Sequence, residues 1–191
     1  MSDVSQIALG LRSLAALAEQ VAAAPDALEP IVSAMRTCLA GGGTLFFAGN
    51  GGSAADAQHL AAEYVVRYRK GAQLPLRAMA LTTDTSALTA AANDFGYQQV
   101  FARQLQALAR PGDVLILHST SGSSPSCVLA AAAARALGVI TIAFLGGTGG
   151  DLRGSVDYPF VIHDDRVNHV QELHLAIQHQ ITAILTAEHG G

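Results

Sequence analysis

Charged residues are scarce in this sequence: Asp, Glu, Lys and Arg make up 14% of its 191 residues, whereas 50% are hydrophobic. The 11 basic residues are spread along the chain apart from one small cluster, Arg67, Arg69 and Lys70, and the net charge is −4. Proteins that bind nucleic acid need a concentrated positive surface. We therefore expect no nucleic-acid partner, and the cluster is either a solvated helix end or a phosphate contact.

Long hydrophobic runs are also missing. No stretch approaches the roughly 18 to 20 uncharged residues that span a bilayer, so we expect no membrane partner. The N-terminal segment has no basic residues ahead of its apolar part and no small-residue cleavage site. It is typical of an amphipathic helix rather than an export signal, which favours a cytoplasmic protein.

Cysteine is limited to Cys38 and Cys127, which lie in apolar helical contexts without CxxC spacing. This pattern predicts buried free thiols in a reducing compartment rather than a disulfide or a thiolate metal site. With few charges and a mean hydropathy of +0.33, the surface would retain apolar patches unless chains pair. We expect a homo-oligomer.

Short apolar runs bounded by Gly, Pro or Asp alternate with helical patterns along most of the chain. The runs are 44–49, 77–82, 113–119, 139–146 and 156–162. The helical segments are 4–24, 26–40, 53–68, 85–108, 124–137 and 168–188, with a short turn at 150–154. This alternation predicts an α/β fold, a doubly wound five-stranded parallel sheet flanked by helices. Pro159 places the fifth strand at an edge.

The domain organisation follows from the same pattern, because there is no internal repeat, linker or break in composition. We expect residues 1–191 to form a single domain. Residues 1–40 form two N-terminal helices, and the first is an added helix that packs against a partner subunit.

Two loops rich in small polar residues follow predicted strands, where doubly wound folds bind ligands. Residues 119–124, Ser-Thr-Ser-Gly-Ser-Ser, open a helix and form either an anion cradle or an ordinary N-cap. Residues 49–53, Gly-Asn-Gly-Gly-Ser, have neither the GxGxxG nor the Walker A spacing, so we expect no nucleotide cofactor. Ser53 is a plausible helix cap there. The pair of loops suits a small phosphorylated polyol.

Ionisable residues recur on two of the predicted helices. His59 and Glu63 are four apart on one helix face, so they either share a metal, act as an acid/base pair, or make an ordinary surface contact. The final helix adds an unusual density of polar groups, which are either site residues or a polar subunit interface. They are Gln171, Glu172, His174, Gln178 and His179.

Five motifs in order, GNGGSAADAQH, TTDTS, ANDFGY, STSG and VQELH followed by QH, resemble those of phosphoheptose isomerases. The resemblance covers about residues 37–179 and identifies the chain as a member of the SIS domain superfamily, with its flavodoxin-like fold. It implies a homotetramer that isomerises sedoheptulose 7-phosphate to D-glycero-D-manno-heptose 7-phosphate through an enediol. The substrate contacts that it implies are Asn50, Gly51, Gly52, Ser53, Glu63, Asn93, Asp94, Ser119, Thr120, Ser121, Ser124 and Gln171.

The resemblance also implies one zinc ion, with His59, Glu63, Gln171 and His179 as ligands. Glu63 would be the base, unless its role as a ligand prevents this, and His179 is a second catalytic residue that could pass protons between the substrate oxygens. Helix geometry accommodates this set poorly. Gln171 and His179 are about 12 Å apart along a helix and about 80° around it, so His174 and Gln178 are competitors.

The sequence departs from the family pattern at two positions. Asn168 stands where an acidic residue is common, although Asp164 and Asp165 lie nearby. His118 stands where an apolar residue is usual, just before the Ser-rich loop. It either modifies phosphate affinity or is an ordinary buried strand residue.

Two other functions remain possible on these observations. One is a non-catalytic SIS-domain regulator that resembles the DnaA-initiator-associating protein, and the other is an isomerase or etherase of another sugar phosphate. The joint presence of His59, Glu63, Gln171 and His179 favours an enzyme over a regulator. Pocket length would decide the second alternative.

Overall fold

A computed structural model describes residues 3–68 and 73–189, so Arg69 and Lys70 of the small basic cluster lie outside the described residues. The strands are β1 (Leu45–Gly49), β2 (Ala78–Ala80), β3 (Val114–Ser119), β4 (Ile140–Gly146) and β5 (Tyr158–Ile162). All pair in parallel in the order β2-β1-β3-β4-β5. This is the flavodoxin-like order of a doubly wound sheet. The predicted fold class is confirmed, and β5 with Pro159 is an edge strand as expected.

The helices lie close to the predicted segments, with one clear exception. They are α1 (Asp3–Ala22), α2 (Glu29–Ala40), α3 (Gly52–Val65), α4 (Thr85–Phe95), α5 (Val100–Leu108), α6 (Pro125–Ala136) and α7 (Val167–Ala187). The segment 85–108, predicted to be mostly helical, consists of two helices with a break between them. Gly96 takes φ 86°, which no helix continues through, and a 3-10 turn at Tyr97–Gln99 redirects the chain into α5.

The sheet separates two apolar layers. Helices α2, α3 and α7 and the second half of α1 cover one face, while α4, α5 and α6 cover the other. Alternate residues of β3 point to the two faces of the sheet: Val114 and Ile116 belong to the layer of α2, α3 and α7, and Leu115 and Leu117 belong to the layer of α4, α5 and α6. Because both faces are covered, the strands are largely apolar, with His118, Ser119 and Thr141 as buried polar exceptions.

Helix length bears on the membrane question. Within residues 3–68 and 73–189, no single helix is long and apolar enough to cross a bilayer. One helix pair, Val4–Ala22 with Pro25–Ala40, passes the length and composition test together, but it is bent by 79°.

Candidate active site

The turn after β1 begins the candidate site. Gly51 occupies the N-cap position of α3 with φ 57° and ψ −123°, so the expectation that Ser53 caps this helix is wrong. The glycine bends the chain into the helix two residues earlier, and Ser53 becomes a buried residue of the first turn. Asn50, Gly51, Gly52 and Ser53 thus form a tight bend at the carboxyl end of the sheet.

Gln171 lies directly against this bend. A Cβ atom on Gly52 would be 2.6 Å from the Gln171 Nε2 atom, so the absence of a side chain at Gly52 leaves room for the Gln171 amide in this position. The same Nε2 group is 3.4 Å from Ser53 Oγ. The first turns of α3 and α7 are therefore in contact, and Gln171 is fixed at the bend.

Three ionisable side chains meet further along the same two helices. The Nε2 atoms of His59 and His179 are 2.9 Å apart, and Glu63 Oε1 is 3.5 Å from His59 Nε2. At 2.9 Å the two imidazoles share one proton, so at least one of them is neutral. Burial, together with the neighbouring His59, lowers the pKa of His179, although Glu63 opposes this shift. The cluster thus places a carboxylate and two imidazoles, the side chains that most often transfer protons in enzymes, within hydrogen-bonding reach of one another.

The four residues expected to bind metal are brought together only in part. His59, Glu63 and His179 converge, whereas the Gln171 amide is engaged with Ser53. Among the described residues, no group of three or more His, Cys, Asp or Glu side chains is arranged as a metal site. His174 and Gln178, the alternatives from helix geometry, are fully buried on the side of α7 that faces the sheet. They contact Leu145 and His118 respectively, away from this cluster.

The Ser-rich loop follows β3 and leads into α6. Ser119 Oγ accepts a hydrogen bond from the Gly122 backbone N–H (3.1 Å), and Ser121 Oγ accepts one from Ser123 N–H (3.3 Å). Ser124 occupies the N-cap position of α6, but its hydroxyl makes no capping hydrogen bond. Since N-cap serines ordinarily bond to the helix backbone, the Ser124 hydroxyl is available to an anion at this helix start.

A glycine-rich segment after β4 braces the Ser-rich loop. Asp151 N–H donates to Ser123 Oγ (3.2 Å), and Leu152 N–H donates to the Gly122 carbonyl (2.9 Å). A Cβ on Gly122 would lie only 2.0 Å from the Gly149 carbonyl oxygen. The loop is therefore held in one shape by a neighbouring segment that we did not associate with the site.

The side chain of Asn50 contacts two further elements, the 3-10 turn after α4 and the start of α6. Its Oδ1 accepts a hydrogen bond from Tyr97 Oη (2.8 Å), and its Nδ2 donates to Ser126 Oγ (3.0 Å). Asn93 and Asp94 lie exposed at the end of α4, just before Tyr97, and bond to each other (2.8 Å). Sequence reasoning overlooked Tyr97 and Ser126, although Tyr97 closes the ANDFGY motif.

The two departures from the family pattern have different surroundings. His118 is 1% exposed, and its ring stacks against Phe47, so it is the buried strand residue of the two alternatives. Asn168 is exposed in the first turn of α7. Nearby Asp164 is already paired with Arg166, whose guanidinium lowers the pKa of that carboxyl to about 2.

A doubly wound sheet that carries a hydroxyl-rich loop and a His/Glu/His cluster has the architecture of a sugar isomerase domain. Comparison with known sequences agrees, since residues 11–146 match the family described as the SIS domain. The phosphoheptose isomerase of Paramagnetospirillum magneticum is 48% identical over 165 residues, covering 86% of this chain and 85% of that protein. That of Solidesulfovibrio magneticus is 47% identical over 183 residues, covering 92% and 89%.

Structural comparison gives the same relationship. The structure of phosphoheptose isomerase from Neisseria gonorrhoeae superposes with a TM-score of 0.91 at 34% identity, covering 97% of this chain and all of that one. The chain therefore belongs to the SIS domain family and, within it, to the phosphoheptose isomerases. The interpretation as a sugar-phosphate isomerase is confirmed over that of a non-catalytic regulator.

Proposed function

We propose that this enzyme converts sedoheptulose 7-phosphate to D-glycero-D-manno-heptose 7-phosphate, and that the His59, Glu63 and His179 cluster performs the proton transfer. The cluster is the observation that carries the proposal. Its three groups meet within 3.5 Å on two helices whose first turns flank the glycine bend. The side chain of Glu63 is 19% exposed and that of His59 46% exposed, so a substrate can reach both.

The substrate would lie with its phosphate at the Ser-rich loop. Ser119, Thr120, Ser121 and Ser124 would hold the phosphate, with the Ser124 hydroxyl and the start of α6 as the strongest anion contacts. The bend at Asn50, Gly51, Gly52 and Ser53 would bind the sugar hydroxyls, with Gln171, Asn93 and Asp94. Ser53 and His59 are about 9 Å apart along α3, a span that an extended heptose phosphate can cover.

Glu63 is the proposed base. It would take a proton from C1 of the open ketose while O2 gains a proton, giving the enediol. Return of the carbon-bound proton to C2 and loss of the O1 proton then give the aldose. His179 would carry the proton between the two oxygens, a role that suits an imidazole whose pKa is lowered. Phosphate binding remote from the reacting carbons provides the positioning.

We further propose one zinc ion per site. Two imidazoles and a carboxylate are a donor set found in catalytic zinc sites, so the chemistry of His59, His179 and Glu63 fits. Gln171 would join them only if its amide turned away from Ser53. When bound, zinc would polarise the substrate carbonyl and stabilise the enediolate. Glu63 can then serve as ligand, as base, or as both in turn.

We also propose a cytoplasmic homotetramer built from a single domain, residues 1–191, with residues 1–40 contributing to assembly. Cys38 and Cys127 are buried and unpaired, and burial raises the pKa of each thiol to about 11, as suits a reducing compartment.

An apolar groove of about 490 Å³ runs between α1, α2 and α7. Its walls include Val21, Leu28, Val32, Ile177 and Ile184.

The test begins with the wild-type enzyme incubated with sedoheptulose 7-phosphate and observed by NMR. Formation of an aldose anomeric proton is the expected result. Turnover of a different ketose phosphate, with sedoheptulose 7-phosphate left unchanged, would contradict the proposed substrate.

Replacing the base tests the mechanism. Glu63→Gln should abolish solvent deuterium exchange into the substrate, because it removes the proton acceptor but preserves size. Glu172→Gln, an exposed carboxylate on α7, is the matched control and should exchange normally. Elemental analysis of the wild type and of His59→Ala checks the metal. An intact Glu63→Gln oligomer that still exchanges deuterium at the normal rate would exclude Glu63 as the base.

A further inference from the structure

The carboxamide of Asn50 is occupied by contacts within the chain. Oδ1 accepts from Tyr97 Oη at 2.8 Å, while Nδ2 donates to Ser126 Oγ at 3.0 Å and lies 3.8 Å from Cys127 Sγ. Because both ends of the amide are engaged, Asn50 offers a substrate its backbone more readily than its side chain. The side chain instead fixes where that backbone lies.

The partners of Asn50 come from two elements that carry other parts of the site. Tyr97 opens the 3-10 turn directly after α4, whose last residues include Asn93 and Asp94. Ser126 is the second residue of α6, which follows the Ser-rich loop. The Asn50 amide thus links the glycine bend to both of these segments.

Gln171 packs against the opposite side of the bend. Gln171 lies against Gly52 so tightly that a Cβ there would come within 2.6 Å of its amide nitrogen. Without the Tyr97 hydroxyl, Asn50 Oδ1 would keep only the longer contact to Ser126 Oγ (3.4 Å), while Nδ2 would still donate to that hydroxyl at 3.0 Å. The amide would then be held by Ser126 alone and could rotate more freely, so this side of the bend would be held less firmly.

We propose that Tyr97 is a positioning residue of the isomerase: its hydroxyl holds the Asn50 amide and thereby sets the glycine bend for the sugar hydroxyls of the substrate. This inference rests on the proposed function for the nature of the ligand. In this role Tyr97 would not contact the reacting atoms, because its hydroxyl donates to Asn50 Oδ1. Its contribution is felt equally in the ground and transition states, so it acts on the Michaelis constant rather than on turnover.

The kinetic experiment compares Tyr97→Phe with Tyr158→Phe, which removes the same atom from β5, away from the bend. Tyr97→Phe should raise KM about 3- to 10-fold, the effect of losing one hydrogen bond, with kcat within about twofold of wild type. Tyr158→Phe should change neither constant. Unchanged KM in Tyr97→Phe, or an equal change in Tyr158→Phe, would overturn the proposal.

A double substitution separates positioning from a direct contact. If Tyr97 acts through Asn50, Tyr97→Phe and Ser126→Ala should be non-additive in KM, because both release the same amide. A merely unstable variant would lose active enzyme, and so kcat, at unchanged KM. Fully additive effects of the two substitutions would contradict an action through Asn50.

A readout without substrate keeps this inference separate from the proposed function. In enzyme labelled with ¹⁵N-asparagine, the side-chain amide protons of Asn50, assigned with Asn50→Asp, should exchange with solvent slowly in the wild type and at least 3-fold faster in Tyr97→Phe. If the wild type fails to turn over sedoheptulose 7-phosphate but this difference is found, only the proposed substrate is wrong. Equal exchange in the two proteins would overturn the positioning role, whatever the kinetics.

Discussion

Two serines of the same loop have different tasks, which their hydrogen bonds distinguish. The buried Ser119 hydroxyl accepts from Gly122 N–H and so holds the loop, whereas the Ser124 hydroxyl has no capping bond to the helix that it precedes. Because the Ser124 hydroxyl does not cap the helix, it can donate a hydrogen bond to another acceptor, and a phosphate oxygen would be such an acceptor. Substitution of the two residues should therefore have separable effects.

Ser124→Ala is expected to raise KM for the sugar phosphate roughly 10- to 100-fold, because a hydrogen bond to a charged group contributes about 1.5 to 3 kcal/mol. Its Tm should equal that of the wild type. Ser119→Ala should raise KM and lower Tm together, since it also removes a bond within the loop. Steady-state kinetics and thermal unfolding of both variants check this. A normal KM in Ser124→Ala would show that the phosphate binds elsewhere.

His118 and His174 are buried imidazoles that the proposed reaction does not use. Burial lowers the pKa of His118 to about 3, with His174 adding to the effect, and burial lowers the pKa of His174 to about 4. Both are therefore neutral in the folded protein at pH 5, whereas unfolded histidine binds a proton below about pH 6.5. The unfolded state gains protons that the folded state does not, so stability falls as pH decreases through this range.

The expected loss is about 2 kcal/mol of unfolding free energy per histidine between pH 8 and pH 5. The double variant His118→Leu with Gln178→Leu removes both partners of the 3.3 Å contact, so no buried group is orphaned. It should equal or exceed the wild type in stability at pH 8 and lose about 2 kcal/mol less on acidification. Urea unfolding at fixed protein concentration measures this. An unchanged pH dependence would mean that His118 is not neutral in the folded state.

Strand ends and helix ends were predictable from sequence to different degrees. Apolar runs bounded by Gly, Pro and Asp placed the predicted strands within two residues of β1 to β5, because both faces of the sheet are buried. The break at Gly96 was missed, since the periodicity of α4 and α5 continues on either side of it. A single glycine whose conformation depends on its neighbours leaves little trace in such a pattern.

The candidate site was predictable where it depends on spacing within one helix. His59 and Glu63 lie together because they are one turn apart. His179 was singled out by the density of polar groups on the final helix, but its association with His59 and Glu63 was implied only by family resemblance. The Asn50–Tyr97 contact joins residues 47 positions apart. It depends on how the 3-10 turn packs against the bend, which no local pattern encodes.

The Ser-rich loop is supported from behind by the glycine-rich segment after β4, and we call this contact between the two segments the brace. Gly122 has φ 67°, and its Cα faces the Gly149 carbonyl, so both its backbone conformation and its lack of a side chain are needed. Gly122→Ala should displace the loop and raise KM at least 10-fold, because the hydroxyls that face the phosphate would move apart. Kinetics at saturating and limiting substrate measure the change.

Gly42 provides the matched control for this substitution. It has a similar φ of 74° but no atom within 4 Å of an added Cβ, and it lies between α2 and β1. Gly42→Ala should lower stability by about 1 kcal/mol from backbone strain and leave KM unchanged. If the two alanine variants behave alike, strain alone explains Gly122 and the brace has no role in binding.

At the scale of the whole molecule, α1 carries an apolar stripe that the rest of the chain covers only in part. Val4, Ile7, Leu11, Leu14, Ala18 and Val21 follow one another at alternating spacings of three and four, the stripe of a helix packed along its length. Leu14, Ala18 and Val21 pack against the core, but Val4, Ile7 and Leu11 are 73%, 64% and 63% exposed. A stripe that is half buried and half exposed predicts that a second chain covers its first half.

Ile7→Glu with Leu11→Glu should therefore dissociate the proposed tetramer. Two charges on the uncovered stripe cannot be buried against an apolar partner without a large desolvation penalty, whereas in an isolated subunit they would face water and leave the fold intact. Light scattering at micromolar concentration should give four chains for the wild type and fewer for the variant, with circular dichroism unchanged. Gln6→Glu with Arg12→Glu, which adds two carboxylates to exposed polar positions of α1, is the control and should remain tetrameric. If the stripe variant stays tetrameric, the exposed half of α1 is not the subunit contact. If it dissociates and loses turnover while Glu63, His59 and His179 are unaltered, the active site requires the assembled tetramer.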